Sequence, residues 1–451
     1  MKRYLLSALC LLSLVSGPAF AETMDEALLS GLVKSDNLNA ARQNYIAVRE
    51  TRTIANASND LTGTVTITGA QTETDRKNTS GGFQSSQSLS SRIAISKQLF
   101  DSGEGNARVE AANYNLMSAE ASYRATEQRE ILSIIDAYLS LITSRQARAL
   151  QEENVARLEA QTSATKIRLE AGTTTATRLA EAEARLARAQ SSLISANATE
   201  ENALEKYQSL TGLSGEGLSV PSLSNAMPTS LVEAEELALK NHPEIIVASA
   251  NERASRMQFD IVARQVLPKV NFSLSATDSQ AKGTMQDKLD IKGEVKLTSP
   301  FLVTPSSRAK GKEISAKLER AKFQLSEARR TVSLNARSAL RSTMSAAAQK
   351  RAVDAELAAA ELVAEGITAE VEFGQKIFLD QLDAEQSVSD AKVRQLQAQQ
   401  AVMINHFRLL AAIGQLDASA IGLAEELPSI QDALAPRDVF TGFLPLADLP
   451  E

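Results

Sequence analysis

Two hydrophobic rhythms alternate along the chain. From Ser306 to Gly414, apolar or small residues recur every three or four positions: Ile314, Leu318, Ala321, Leu325, Ala328 and Val332, then Ala339, Val353, Ala360, Val363 and Ile367. This is the seam of helices that coil around one another. The rhythm falters at Glu372-Phe373-Gly374-Gln375-Lys376 and resumes with Leu379, Leu382, Val393, Leu396, Met403, Phe407 and Leu410. The pattern predicts a long helix, a tight reversal where Gly374 takes a backbone angle other residues resist, and a returning helix. No Pro interrupts either arm, and at 1.5 Å per residue the first would run roughly 100 Å.

Elsewhere the period shortens to two, the signature of strands. Val270, Phe272 and Leu274 alternate with polar residues, as do Ile291, Val295 and Leu297 after a polar loop from Thr277 to Asp290. The first half reads the same way. A helix from Met24 to about Asn56 precedes alternating runs at Thr62–Thr68 and Ser91–Ser96, joined by a polar loop from Gln71 to Ser88 that contains Gly81-Gly82. A helix from about Asn106 to Glu170 follows, with Leu116, Ala119, Tyr123, Ile131, Ile134, Tyr138 and Leu141 on its seam. The chain reverses at Ala171-Gly172-Thr173-Thr174 and returns through Leu179, Ala182, Leu186 and Ala189.

The halves are one plan used twice. Thr23-Met24-Asp25-Glu26-Ala27 is echoed by Ser230-Leu231-Val232-Glu233-Ala234, and Gly172 by Gly374. Tandem duplication divides the chain into a first repeat at 22–229 (β-hairpin 62–100, helical hairpin 104–212) and a second at 230–416 (β-hairpin 267–300, helical hairpin 306–414). The fold class is mainly α with a small β part. The proline-containing tail, 417–451, reads as an irregular belt or as disordered.

Residues Met1–Ala21 carry the marks of a secretory signal: Lys2 and Arg3, a short apolar run from Leu5 to Val15, and Ala19-Phe20-Ala21 as the cleavage site. The run is too short to span a bilayer, and no later run is long enough. Cys10 lies within the signal, so the mature chain has no cysteine and no thiol chemistry. Without Lys2 and Arg3 the chain holds 46 basic against 55 acidic residues, a net charge of −9, a poor match to nucleic acid. Two histidines, His242 and His406, and the lack of a metal-spaced cluster, nucleophile elbow or P-loop argue against an enzyme and against any cofactor.

Any membrane crossing must therefore use strands. Four strands cannot close on themselves, and an open edge is not tolerated in lipid. Either the chain is a soluble rod with two hairpins, or several copies pool their strands into one barrel. Export without another anchor, long polar loops and helices needing partners along their length favour pooling. Pooling alone allows two, three or four copies.

The segment Gly374-Gln375-Lys376-Ile377-Phe378-Leu379-Asp380-Gln381-Leu382-Asp383-Ala384-Glu385 is similar to the G-x-x-x-x-x-D-x-L-D-A segment of TolC-family outer-membrane efflux proteins. Leu99-Phe100-Asp101-Ser102-Gly103, Pro300-Phe301 and the stretch from Asn405 to Gly414 resemble that family's strand-to-helix junctions and closing helix. The resemblance runs to about residue 416. It implies a homotrimer with a twelve-stranded barrel in the outer membrane and a twelve-helix coiled-coil tunnel across the periplasm. It also implies a periplasmic adaptor and an inner-membrane pump of RND or ABC type as partners.

The function so implied is a passive exit duct for drugs, detergents or other toxic compounds, gated at the periplasmic helix tips. A type I protein secretion duct and a soluble periplasmic coiled-coil adaptor are the alternatives. By the same resemblance, Asp380 and Asp383 form acidic rings at the aperture, although their spacing alone favours an ordinary solvated helix start, where acids suit the dipole. Thr177, Arg178 and Lys376 fall at positions that hold the entrance closed. Arg178 departs from the Asp of the best-known members, and facing Lys376 it would repel; it either pairs with an acidic neighbour such as Asp380 or Glu181 or simply faces solvent. Gly172, Thr173, Gly374 and Gln375 fall at the tips where adaptor hairpins dock.

Overall fold

The computed structural model describes residues 22–75, 83–221, 227–282 and 288–417. The expected signal segment, Gly81-Gly82 and the tail beyond 417 lie outside the described residues. In chain order the first repeat supplies helices α1 (Met24–Lys34) and α2 (Asp36–Asn56), strands β1 (Thr62–Asp75) and β2 (Phe83–Phe100), and helices α3 (Glu104–Glu170) and α4 (Ala176–Thr211). The second supplies α5 (Leu231–Asn241), α6 (Pro243–Arg264), β3 (Lys269–Lys282), β4 (Lys288–Thr298), α7 (Pro305–Glu372) and α8 (Phe378–Ala412).

Each opening helix is broken where the sequence pattern predicts continuity. At Ser35 the backbone turns extended, with ψ 113°, and the Ser35 hydroxyl accepts from the Leu38 N–H at 3.2 Å. At His242 the ring Nδ1 accepts from the Glu244 N–H at 3.3 Å, while Pro243 opens α6. Pro lacks an N–H and pushes the preceding residue out of helical geometry, so α5 must stop at Asn241. His242 is thus a helix cap.

The described chain divides into two compact units, and each draws on both repeats. One unit, with residues 39–126 and 238–334, contains an antiparallel sheet in the order β1-β2-β3-β4. The strands run further than the apolar alternation predicts. Gln71 pairs with Gln87, and Ser279 with Lys288, inside segments expected to be loop. Backbone ladder bonds need no apolar side chains, so the polar segments continue the pairing past the apolar band.

Register sorts the sheet into two faces. Val65 opposes Ile93, Ile95 opposes Leu274, and Phe272 opposes Val295, so the aliphatic side chains share one face. Val65, Ile67, Ile291, Val295 and Leu297 stand between 66% and 73% exposed there. Leu289 to Leu297 spans about 27 Å at 3.4 Å per residue, comparable to the ~25 Å apolar band of an outer-membrane barrel. The reverse face is polar: Thr62, Thr64, Thr66 and Thr68 on β1 lie in register with Ser96, Ala94, Arg92 and Ser90 on β2.

Beneath the sheet, Ser102 (φ 56°) and Gly103 (φ 80°) turn β2 into α3. Asp101 holds this corner, accepting from the Gly103 N–H at 2.8 Å and the Gly105 N–H at 2.5 Å. Burial works against its charge, but these N–H groups and the Asn59 amide outweigh that and hold the carboxyl below its ordinary value. Small apolar clusters, Tyr45 and Ile46 with Ala119, and Ile261 with Ala107 and Ala111, pack α2 and α6 onto α3.

The other unit, with residues 22–38, 127–237 and 335–417 among those described, contains both helical reversals. Ile131, Ile134, Tyr138 and Leu141 of α3 and Leu409 and Leu410 of α8 are all 0–1% exposed. Glu22 ties the start of this unit together. Its carboxylate accepts from the Tyr207 hydroxyl at 3.0 Å, the Ser214 hydroxyl at 2.8 Å and the Gly215 N–H at 3.0 Å. Tyr138 donates to the Ser219 carbonyl at 2.7 Å. Burial and the neighbouring Glu22 charge push the Tyr207 hydroxyl well above its usual range.

The seam predicted for α7 is observed with one correction. Ile314, Ala321, Val332 and Val353 are buried, and Leu318, Leu325, Ala328, Ala339, Ala360 and Ile367 are half-buried. Val363 is 53% exposed instead. The seam passes through Leu357, Ala360, Ala364 and Ile367, keeping the four-three step that Val363 would break.

Candidate functional site: the helical reversals

Both reversals are the same backbone device. At the first, the Gly172 N–H donates to the Leu169 carbonyl at 2.9 Å and the Thr173 N–H to the Arg168 carbonyl at 2.9 Å. At the second, the Gly374 N–H donates to the Val371 carbonyl at 3.0 Å and the Gln375 N–H to the Glu370 carbonyl at 2.8 Å. Each is a Schellman ending, which satisfies the last carbonyls of a helix and requires a left-handed residue. Gly172 (φ 71°) and Gly374 (φ 72°) supply it. No described atom lies within 4 Å of where a Cβ would sit on either glycine, so backbone angle rather than crowding is the reason for glycine. Thr173 adds a hydroxyl bond to the Arg168 carbonyl at 3.0 Å. Beside Gly374, Phe373 is 81% exposed.

The returning helices start differently. Thr175 caps α4, its hydroxyl accepting from the Arg178 N–H at 3.4 Å. Ile377 precedes α8 and has no side-chain oxygen, so Asp380 reaches back to accept from the Ile377 N–H at 3.4 Å. That is half of a capping box, and it places a carboxylate at the positive end of the helix.

Asp380 is half-buried and Asp383, one turn on, is exposed. Asp383 forms an ion pair with Arg185 of α4. Glu385 accepts from the Gln161 amide of α3 at 2.8 Å, with Arg157 at 3.8 Å. Below these contacts Leu382 packs against Val155, Leu158 and Ala189, flanked by Leu186, Leu193 and Phe378. The start of α8 is therefore seated on the first helical hairpin by a small apolar cluster with ionic contacts above it.

Thr177, Arg178 and Lys376 are all exposed. Among the described residues, neither Arg178 nor Lys376 makes an ion pair, so Asp380 and Glu181 do not engage Arg178 within the chain. On α4 the basic residue that reaches α8 is Arg185, two turns beyond Arg178. Arg185, Gln161 and Glu385 are not among the residues the sequence pattern singles out. Glu385 lies inside the Gly374–Glu385 segment and shares a helix side with Leu382, which was a usable signal. Nothing local ties Arg185 to a carboxylate 198 positions away.

A family model described as outer membrane efflux protein matches residues 27–215 and again 235–415. The chain belongs to the outer membrane efflux protein family. The chain is 28% identical over 433 residues to the outer membrane efflux protein BepC of Brucella suis, covering 93% of this chain and 92% of that one. Its fold matches a crystal structure of a membrane protein from Pseudomonas aeruginosa at TM-score 0.77 and 18% identity, over 89% of this chain and 92% of that one. It also matches the Campylobacter jejuni CmeC outer membrane channel at TM-score 0.77 and 15% identity, over 89% of each chain. Efflux-family members are channel proteins and not enzymes, and the four-stranded sheet with long helical hairpins is their fold. None of the described helices is long and apolar enough to cross a membrane.

Proposed function

We propose that the chain is the outer-membrane exit duct of a tripartite export system. In this reading three copies share one twelve-stranded barrel, and drugs, detergents or other toxic compounds pass through it from an inner-membrane pump and a periplasmic adaptor. The carrying observation is the sheet. It has one aliphatic face, one polar face, and two edges, β1 and β4, with no partner strand among the described residues. Such a sheet is unstable in lipid until its edges are paired. With β1 and β4 antiparallel in the sheet order, β4 of one copy meets β1 of the next antiparallel, and the cycle closes without a crossover. A soluble adaptor has no use for the aliphatic face.

Gating belongs to the tips. Asp380 and Asp383 from three copies form acidic rings that favour cations. The Asp383–Arg185 pair and the Glu385–Gln161 bond hold α8 against the first hairpin and keep the aperture narrow. Asp383 is 61% exposed, so the pair contributes roughly 0–1 kcal/mol. That is weak enough for a docking adaptor to displace. Gly172, Thr173, Gly374 and Gln375, with exposed Phe373 between them in chain order, present the docking surface, and Thr177, Arg178 and Lys376 flank it.

The test is the native mass of detergent-extracted protein, followed by planar-bilayer recording. Three copies and stepwise currents are expected. A stable monomer that passes no current would overturn the reading.

A further inference from the structure

The polar side of the sheet is more than hydroxyl-lined. Arg92 lies opposite Thr66 on one neighbour and Thr277 on the other, and Thr277 lies opposite Asp290. Paired residues share a face, and every second residue along a strand shares it too. Lys288, Asp290, Lys292, Glu294 and Lys296 therefore form one ladder on β4, on the same face as Arg92. Side-chain contacts agree: Lys288 pairs with Asp290 at 2.8 Å, and Lys292 pairs with Glu294. The opposite face at these rows carries the aliphatic band.

Four basic groups thus stand against two acidic ones. Asp290 and Glu294 pair directly with Lys288 and Lys292, while Arg92 and Lys296 are exposed and reach Glu294 only at longer, Coulombic range, so the two acids offset two of the four bases. The sheet face expected to line the duct therefore carries a surplus of two positive charges per copy.

We propose that this ladder makes the barrel lumen an anion-attracting exit filter, and that small anionic solutes bearing carboxylate or sulfonate groups are the cargo it favours. The inference rests on the duct reading. Its physical basis is that like charges on the wall of a narrow passage with a low-dielectric surround focus field and raise the local counter-ion concentration. Arg92 adds a planar donor fork that suits carboxylates.

The test uses the full-length protein in planar bilayers, reading the chloride-to-potassium permeability ratio from the reversal potential in a KCl gradient. The triple variant Arg92→Gln, Lys292→Gln, Lys296→Gln is expected to lower that ratio about threefold, with most of the effect lost between about 0.1 M and about 1 M salt as the Debye length falls from ~10 Å to ~3 Å. Glu294→Gln removes one acid and is expected to raise the ratio, so it carries the test alone if the triple variant does not insert. Wild-type currents with both variants unchanged in selectivity would overturn this inference and leave the duct standing. No current from the wild type would overturn the duct reading and this inference with it.

Discussion

Asp380 has two tasks at the tip of the second hairpin. It caps α8 by accepting from the Ile377 N–H, because Ile377 cannot cap itself, and in the proposed trimer it carries half of the aperture charge. In the proposed trimer Asp383 adds a second carboxylate, part of whose charge its ion pair with Arg185 offsets. These roles separate experimentally. Asp380→Ala with Asp383→Ala is expected to weaken cation selectivity in a planar bilayer. Arg185→Ala keeps both carboxylates and loosens α8, so it is expected to raise the open fraction by no more than about fivefold, the equivalent of ~1 kcal/mol, with cation preference retained. Equal selectivity in the wild type and the double aspartate variant would remove the ring from the account. His406 offers a second test at this scale. It is 3% exposed, stacks edge-on against Phe407 with ring centroids 5.5 Å apart, and burial pushes its pKa down from an ordinary value of 6.5. Below pH 6.5 the unfolded chain binds a proton there and the folded chain resists it, so stability falls as pH drops through that region. His406→Leu is expected to flatten the decline in melting temperature between about pH 7 and pH 5, measured by thermal melts in detergent.

At the scale of elements, α7 carries two apolar rows. One is the seam buried within the chain. The other includes Phe323, Leu334, Met344 and Leu362, each between 60% and 73% exposed. A second apolar row has no use on a solvated helix, but it has one where neighbouring copies pack side by side. Met344→Gln with Leu362→Gln is expected to leave helix content unchanged by circular dichroism and to reduce the trimer fraction on native gels. Unaltered assembly would place the contacts between copies elsewhere. The sheet carries the same logic in two dimensions: its aliphatic face and its unpaired edges each require something outside the chain, lipid for one and another copy for the other.

For the whole molecule, duplication explains why the two compact units are each built from both repeats. Neither repeat has a complete sheet or a complete helix layer. β2 pairs with β3 across the repeat boundary, and α8 of the second repeat seats on α3 and α4 of the first through Leu382 and Val155. A chain that completes its own layers only by crossing between repeats, and its outer surfaces only by adding copies, suits a wall element better than a free-standing body.

The long helices, the two reversals and the aliphatic strand faces were legible in the residues, because period and glycine position are local properties that burial afterwards enforces. The helix break at Ser35 was less legible, since a lone serine cap interrupts an otherwise continuous apolar face, whereas Pro243 marks the break at His242 in the sequence itself. Strand ends were set by ladder bonds, which polar side chains do not advertise. The partners of Asp383 and Glu385, and the side of the sheet that gathers Arg92 with Lys296, depended on the tertiary structure, because register and interhelical contact bring together residues that no local pattern links.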